Sequence, residues 1–286
     1  MTGDGSPRGT GLEDTGADAP QAAHARLLFE PRATLDALAR HRRRFSATVA
    51  TLGPDELASA SRCGGWTVAD VLRHLLWADT TMRQIWCGEA PPVENFDPRI
   101  TPDQWVQDYR RHSDEDIRAR YLSSSTIMAA ELESADAERF GQPSLSPLGA
   151  VPWWLSAVHI GWDSTVHERD VLLPLGRPVE PPAAENVPML AYTLVLVSFF
   201  ARGGPRRVRV GPVLVRRDDG AVAVSASPTP DHSGGDPPTA SVTVAPGDDT
   251  AAIDALCGRG SVVASLDGDP AVVEELGGLA RFFTST

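Results

Sequence analysis

The sequence predicts an α+β protein in which a four-helix bundle is followed by a small α+β domain. Four long segments between residues 32 and 173 space their apolar residues as helices do. Pro181-Pro182 then interrupts the chain, and after Gly203-Gly204-Pro205 the apolar spacing changes from helical to alternating. On this reading residues 1–28 form a disordered tail, 29–180 the bundle and 181–286 the α+β domain.

The first helix runs from Arg32 to Leu52 on Leu35, Leu38, Phe45, Val49 and Leu52, and ends at Gly53-Pro54. A turn or short helix from Pro54 leads through Cys63-Gly64-Gly65-Trp66 to the second helix. Thr67 is its N-cap, and Asp70 completes a capping box with Asp in place of the commoner Glu. A Pro-rich loop over 88–102 precedes helices expected over 102–121 and 126–140. The segment 142–152 reads as loop, and a long helix follows from Pro152 to Leu173, where Leu173-Pro174 stops it. The second part opens with an apolar helix over 186–200. Strands are expected at 207–210, 212–217, 221–224, 240–244 and 261–266, with a hairpin turn at Asp219-Gly220 and helices over 248–257 and 270–283.

Composition narrows the function. The 286 residues carry a net charge of -12, which disfavours nucleic acid and anionic membranes as partners and leaves small molecules or proteins. All 26 basic residues are Arg, and Ala, Gly, Pro and Val are abundant, as expected of a GC-rich genome such as an actinobacterial one. Cys63, Cys87 and Cys257 are scattered and odd in number, so a reducing cytoplasm is expected rather than a disulfide framework. No run reaches the ~18 apolar residues of a membrane span.

The chemistry concentrates in 158–170. On a helix His159, Asp163, His167 and Asp170 share a face, beside an apolar edge of Val158, Trp162 and Val166. Asp163 and His167 stand about 6 Å apart along the axis, close enough for both to reach one metal ion. A catalytic zinc needs a third protein ligand and an open position. His74, one turn after Asp70 on the inward side of the second helix, is the candidate, since metal sites in bundles use inward side chains of facing helices. The plainer reading makes these residues a hydrogen-bonded helix face.

The segments Gly65-Trp66-Thr67-Val68-Ala69-Asp70-Val71-Leu72-Arg73-His74-Leu75 and Asp163-Ser164-Thr165-Val166-His167-Glu168-Arg169-Asp170 resemble the mycothiol-dependent maleylpyruvate isomerase family. That family lies within the DinB-like four-helix bundles, and its pattern is G-W-[ST]-V-x-D-V-x-x-H-L, then E-x-x-x-H-x-x-D, then a small α+β domain with a Gly-Arg step, here Gly258-Arg259. The resemblance implies zinc or another divalent metal on His74, Asp163 and His167, and mycothiol as thiol cosubstrate. It also implies a metal-activated thiolate adding to a small electrophile, in isomerisation or S-transfer. Asp170 would hold His167, and Arg259 would grasp a carboxylate of thiol or substrate; His159, one turn before Asp163, is read from its position as a cofactor- or substrate-pocket residue or a core histidine. Asp163 departs from the family's Glu and is about 1.5 Å shorter in reach. Closer helices, a shifted metal, water or His159 would have to make up the difference. A zinc-dependent hydrolase and a non-catalytic metal- or ligand-binding protein remain as alternatives.

Overall fold

In a computed structural model of the protein, the structure describes residues 30–89, 100–146, 149–203, 213–216, 240–244 and 249–268, with 270, 273, 276 and 277. The expected tail, the strands at 207–210 and 221–224 and the turn at Asp219-Gly220 lie outside these residues. The final helix does too, apart from four helical positions.

The long helices are α1 (Pro31–Val49), α3 (Val68–Trp86), α5 (Asp114–Ser134) and α7 (Trp153–Leu172), and the shorter α2 (Pro54–Ala58), α4 (Thr101–Tyr109) and α6 (Ala137–Gly141) lie between them. α1 and α3 each pack on both α5 and α7, which closes a four-helix bundle. The helix expected over 102–121 is broken. α4 ends at Tyr109, and α5 starts anew with the Ser113 hydroxyl accepting from the Asp116 amide and three acidic residues in its first turn. Arg73 of α3 holds this break by donating to the carbonyl of His112 at 3.0 Å and to Asp114 at 2.6 Å. The Ser-Asp-Glu-Asp run was the available signal for a helix start, and α5 then continues through the expected gap to Ser134. Within 142–152, expected as loop, β1 (Pro143–Ser146) and β2 (Gly149–Pro152) pair antiparallel and deliver the chain to α7.

α7 is the spine of the core. It approaches α1 at Gly161, where an added Cβ would stand 2.4 Å from Leu38 Cδ2, so only glycine permits this spacing. α8 (Ala183–Gly203) packs on α1 and α7 and receives α9 (Asp249–Leu256). Met189, Leu190, Tyr192, Ala252, Ile253 and Leu256 therefore join Val158 and Trp162 in one apolar cluster. β3 (Val213–Arg216) runs parallel to β4 (Ala240–Thr243), which pairs antiparallel with β5 (Asp267–Gly268). The strand expected at 261–266 is instead the short helix α10 (Val262–Ser265), with the antiparallel pairing displaced to Asp267 and Gly268. The run Val262-Val263-Ala264 suits a strand by side-chain type but is helical here.

Candidate metal centre

The capping box at the head of α3 is formed in both directions. The Asp70 amide donates to the Thr67 hydroxyl at 3.1 Å, and the Thr67 amide donates to Asp70 Oδ2 at 3.2 Å. This fixes where α3 begins, and so the direction in which His74, one turn later, projects. Trp66, just before the cap, lays its indole over the rings of His74 and His167, with centroids 5.5 and 6.4 Å away. Its Nε1–H donates to Asp103 of α4 at 2.6 Å.

Along α7 every residue is buried except His159 and Asp163. With His167, which is 8 % exposed, they form one i, i+4, i+8 line, so the most exposed stripe of this helix is the one that carries its ionisable ligand candidates. α3 runs past it antiparallel. His74 meets Asp163, while Trp86, further along α3, meets Trp153 and donates from Nε1 to the Ser156 hydroxyl at 3.0 Å.

His74 Nε2 lies 3.2 Å from Asp163 Oδ2, and His167 Nε2 lies 3.5 Å from Asp163 Oδ1. One ligand atom from each of the three residues can be chosen with all of them within 4.8 Å of one another. Four-coordinate zinc with bonds of about 2.0–2.1 Å separates neighbouring ligand atoms by roughly 3.3 Å, so the spacing suits such an ion. The shorter Asp163 therefore reaches both imidazoles on its own. Burial alone would raise its pKa, but the imidazoles of His74 and His167 outweigh that and hold the carboxyl below its ordinary range.

The second nitrogen of His167 shows what the trio is built for. Nδ1 lies 2.9 Å from Asp170 Oδ2, and a carboxylate partner places the proton on Nδ1. With the proton on Nδ1, Nε2 would be free to offer its lone pair to a cation lying between it and the Asp163 carboxylate. Two imidazoles and a carboxylate are also a borderline donor set that suits zinc. The residues present thus fit a divalent metal.

Asp170 is buried at the junction of three segments. Arg259 Nε donates to Oδ1 and Oδ2 at 2.8 and 2.9 Å, and Nη2 to Oδ2 at 2.7 Å. The Cys63 thiol donates to Oδ2 at 3.2 Å and lies 3.7 Å from His167 Nδ1. Burial opposes ionisation of Asp170, yet His167 and Arg259 prevail and depress its pKa strongly. Burial, with Asp170 adding to it, pushes the Cys63 thiol up to about 12, so this sulfur is a held thiol and not a nucleophile. Arg62 reinforces the junction. Its amide donates to the Asp170 carbonyl at 3.0 Å, and its Nη1 donates to Asp254 Oδ2 at 2.9 Å, while Arg169 Nε takes Asp254 Oδ1 at 2.6 Å.

His74, Asp163 and His167 are thus brought together, with Asp170 and Arg259 behind His167. His159 stands one turn from Asp163 outside the trio, its ring 5.7 Å from Trp162 and 5.8 Å from Tyr192. Burial lowers its pKa to about 4, so the imidazole is neutral. Cys63, Arg62 and Asp254 were not singled out from sequence. Cys63 was visible only as a stray thiol before the Thr67 cap, and nothing in local spacing links Asp254 to Arg62, 192 residues away.

Residues 38–172 match the family described as mycothiol maleylpyruvate isomerase N-terminal domain. A crystal structure of the mycothiol-dependent maleylpyruvate isomerase superposes with a TM-score of 0.57 at 14 % identity, covering 85 % of this chain and 93 % of that one. A histidine-to-alanine mutant of the mycothiol-dependent maleylpyruvate isomerase gives a TM-score of 0.54 at the same identity and coverage. At this identity the likeness is one of fold. No curated protein matches the sequence significantly. Among the described residues no helix is long and apolar enough to cross a membrane. The segment that matches the mycothiol maleylpyruvate isomerase N-terminal domain family, residues 38–172, holds His74, Asp163 and His167 and the aspartate behind them.

Proposed function

We propose that the protein is a mycothiol-dependent enzyme that activates the thiol at a zinc, or other divalent, ion on His74, Asp163 and His167 for addition to a small electrophile. The observation that carries this is the convergence of two Nε2 atoms on one carboxylate at 3.2 and 3.5 Å, on the most exposed stripe of α7. The family match supplies the thiol and the reaction class. A divalent ion held there would favour the thiolate form of a thiol at its open position. Asp170 keeps the His167 proton on Nδ1 and so turns Nε2 toward the site. Arg259 spends Nε and Nη2 on Asp170 and donates from Nη1 to the Cys257 carbonyl at 2.9 Å, so its first task is to hold Asp170. A residual Nη1 hydrogen is left for a carboxylate of thiol or substrate. Trp66, lying over both imidazoles, excludes water from one side.

The carbon–sulfur bond formed on addition breaks again in an isomerase and persists in an S-transferase. The zinc-loaded protein with mycothiol and maleylpyruvate, followed by mass spectrometry, separates these outcomes, since a stable adduct marks transfer and thiol-dependent isomer formation marks isomerisation. No thiol-dependent change with maleylpyruvate or with a panel of other electrophiles refutes the reading. The metal is tested by itself. The protein purified without chelator is expected to carry about one divalent ion per chain, and a His74→Ala/His167→Ala double variant none. In chelator competition Asp163→Ala should lose affinity well beyond the roughly hundredfold of an outer-layer partner, Asp163→Glu should retain it, and His159→Ala should leave it nearly unchanged. Undiminished affinity in Asp163→Ala removes that residue from the ligand set.

A further inference from the structure

Among the described residues His159 is packed but makes no hydrogen bond. Its imidazole is set between Trp162 on its own helix and Tyr192 on α8, and Trp162 is in turn anchored by an indole N–H donated to the Thr193 hydroxyl at 2.8 Å. The ring therefore has a packed place. Nδ1 is sealed from solvent and meets no hydrogen-bond partner, and Nε2 has none either, yet Nε2 is not among the sealed atoms. A buried N–H without an acceptor is costlier than a buried lone pair, so the proton of the neutral ring belongs on Nε2, the nitrogen that solvent reaches. His159 thus presents one N–H donor, aimed by aromatic packing, into the opening along α7 that also exposes Asp163. Because α3 runs antiparallel to α7, Trp77, one turn beyond His74, stands on the His159 side of the ligands. It is partly buried and stacked on Trp105 of α4. The half-exposed edge of His159 thus lies beside the ligand trio, with the rings of Trp162 and Tyr192 packed behind it.

Resting on the thiol-addition reading above, we propose that His159 is the substrate-positioning residue of this site: its Nε2–H donates to a carbonyl or carboxylate oxygen of the electrophile and sets the acceptor carbon beside the metal-held thiol. Its place on the helix suits this task. About 6 Å along the axis separates His159 from Asp163, the distance from a ligand of the metal to an oxygen two or three bonds from the carbon under attack. His159 makes and breaks no covalent bond in this role. It recognises an oxygen of the electrophile.

The test measures binding without turnover. Zinc-loaded protein and maleylpyruvate are titrated by calorimetry with no thiol present, for the wild type, His159→Phe and His159→Gln. Phe keeps the aromatic packing and removes both nitrogens, whereas Gln puts an amide donor near the position of Nε2. Loss of one such hydrogen bond is expected to weaken maleylpyruvate about tenfold in His159→Phe, with Gln returning to within about threefold of wild type. Zinc affinity by chelator competition and mycothiol binding should be unchanged in both variants, which a general loosening of the core would not allow. In turnover the same loss appears as a raised KM for the electrophile and an unchanged KM for mycothiol. Undiminished binding by His159→Phe, a loss that Gln does not restore, or zinc affinity falling in parallel each overturns the proposal. So does the absence of maleylpyruvate binding by the wild type, while thiol-dependent turnover of other electrophiles would leave the functional reading standing. Conversely, binding that depends on His159 without any thiol-dependent turnover would sink the functional reading alone.

Discussion

Two buried ion pairs, Arg42–Asp79 and Arg259–Asp170, show how like arrangements serve different ends. Both carboxylates are fully buried and both take a guanidinium through two nitrogens. Asp79 has Arg42 as its one cationic partner, with only the Ser124 hydroxyl at 3.5 Å besides. Burial prevails there, helped by the negative charge of Asp163, and its pKa is raised. Asp170 has His167, Arg259, the Cys63 thiol and Arg62 at 3.6 Å, and its pKa is depressed despite equal burial. The number of donors around a buried carboxylate, more than its depth, decides whether it is held charged at a gain or at a cost. The first pair braces α1 against α3 and, through a 3.2 Å hydrogen bond from Arg42 to the Ile160 carbonyl, against α7. The second aims an imidazole.

The sharpest way to break the contrast is Asp79→Ala, which leaves Arg42 buried without its counter-charge. Unfolding free energy by denaturant should fall by about 3–5 kcal/mol, while zinc affinity of the folded protein changes only a few-fold. Replacing both partners, in Arg42→Met/Asp79→Leu, should recover most of that loss, since an apolar pair carries no desolvation cost. A single variant that costs under about 1 kcal/mol would mean that the pair is not the brace described.

Asp170→Asn probes the other pair. Zinc affinity should drop about ten- to hundredfold with a smaller loss of stability than Asp79→Ala causes; the opposite ranking would make Asp170 a brace as well. Gly161→Ala tests the spacing that lets Arg42 reach α7. The added methyl meets Leu38, and a loss of about 1–3 kcal/mol is expected from overpacking, read from the shift in denaturant midpoint. An Ala variant as stable as wild type would show that α1 can move away freely.

The smallest effect concerns pH. His41 is fully buried, and burial, with Arg42, Arg44 and Arg169 nearby, lowers its pKa well below 6.5. Its Nε2 faces the Ser164 hydroxyl at 3.0 Å, and Arg44 donates toward Nδ1 at 3.3 Å, as befits a neutral ring. Below pH 6.5 the unfolded chain takes up a proton that the folded one refuses, so this residue contributes no pH dependence above 6.5 and a loss of stability as pH falls through it. The loss is at most about 1.4 kcal/mol per pH unit. Comparing unfolding at pH 8 and pH 5.5, His41→Gln should lose less stability than the wild type, and equal losses would show that His41 is protonated in the folded protein.

Much of the site was legible because helical periodicity carries geometry. His74 could be placed from its distance to the Thr67 cap, and Asp163, His167 and Asp170 from their three- and four-residue spacing, since a regular helix converts sequence separation into direction. Arg259 was legible only through the Gly-Arg step of the family resemblance. The break between α4 and α5 was written in the Ser113 cap but was overridden by the apolar spacing that runs across it. The short helix α10 went unread because Val262-Val263-Ala264 favours a strand by side-chain type, and pairing at a sheet edge is decided by distant chain.

By itself, then, the sequence determined the class of fold, the helices that bear the ligands and the three residues whose chemistry suits a divalent metal, because caps, periodicity and donor type are local properties. Only the tertiary structure decided that Asp163 reaches both imidazoles despite its missing methylene, that Cys63, Arg62 and Asp254 gather behind His167, and that His159 and Asp163 are the two residues of α7 that are not buried. Those outcomes depend on how closely helices approach and on which side chains from remote segments share one buried space. Close packing settles both at once, and no local pattern records them.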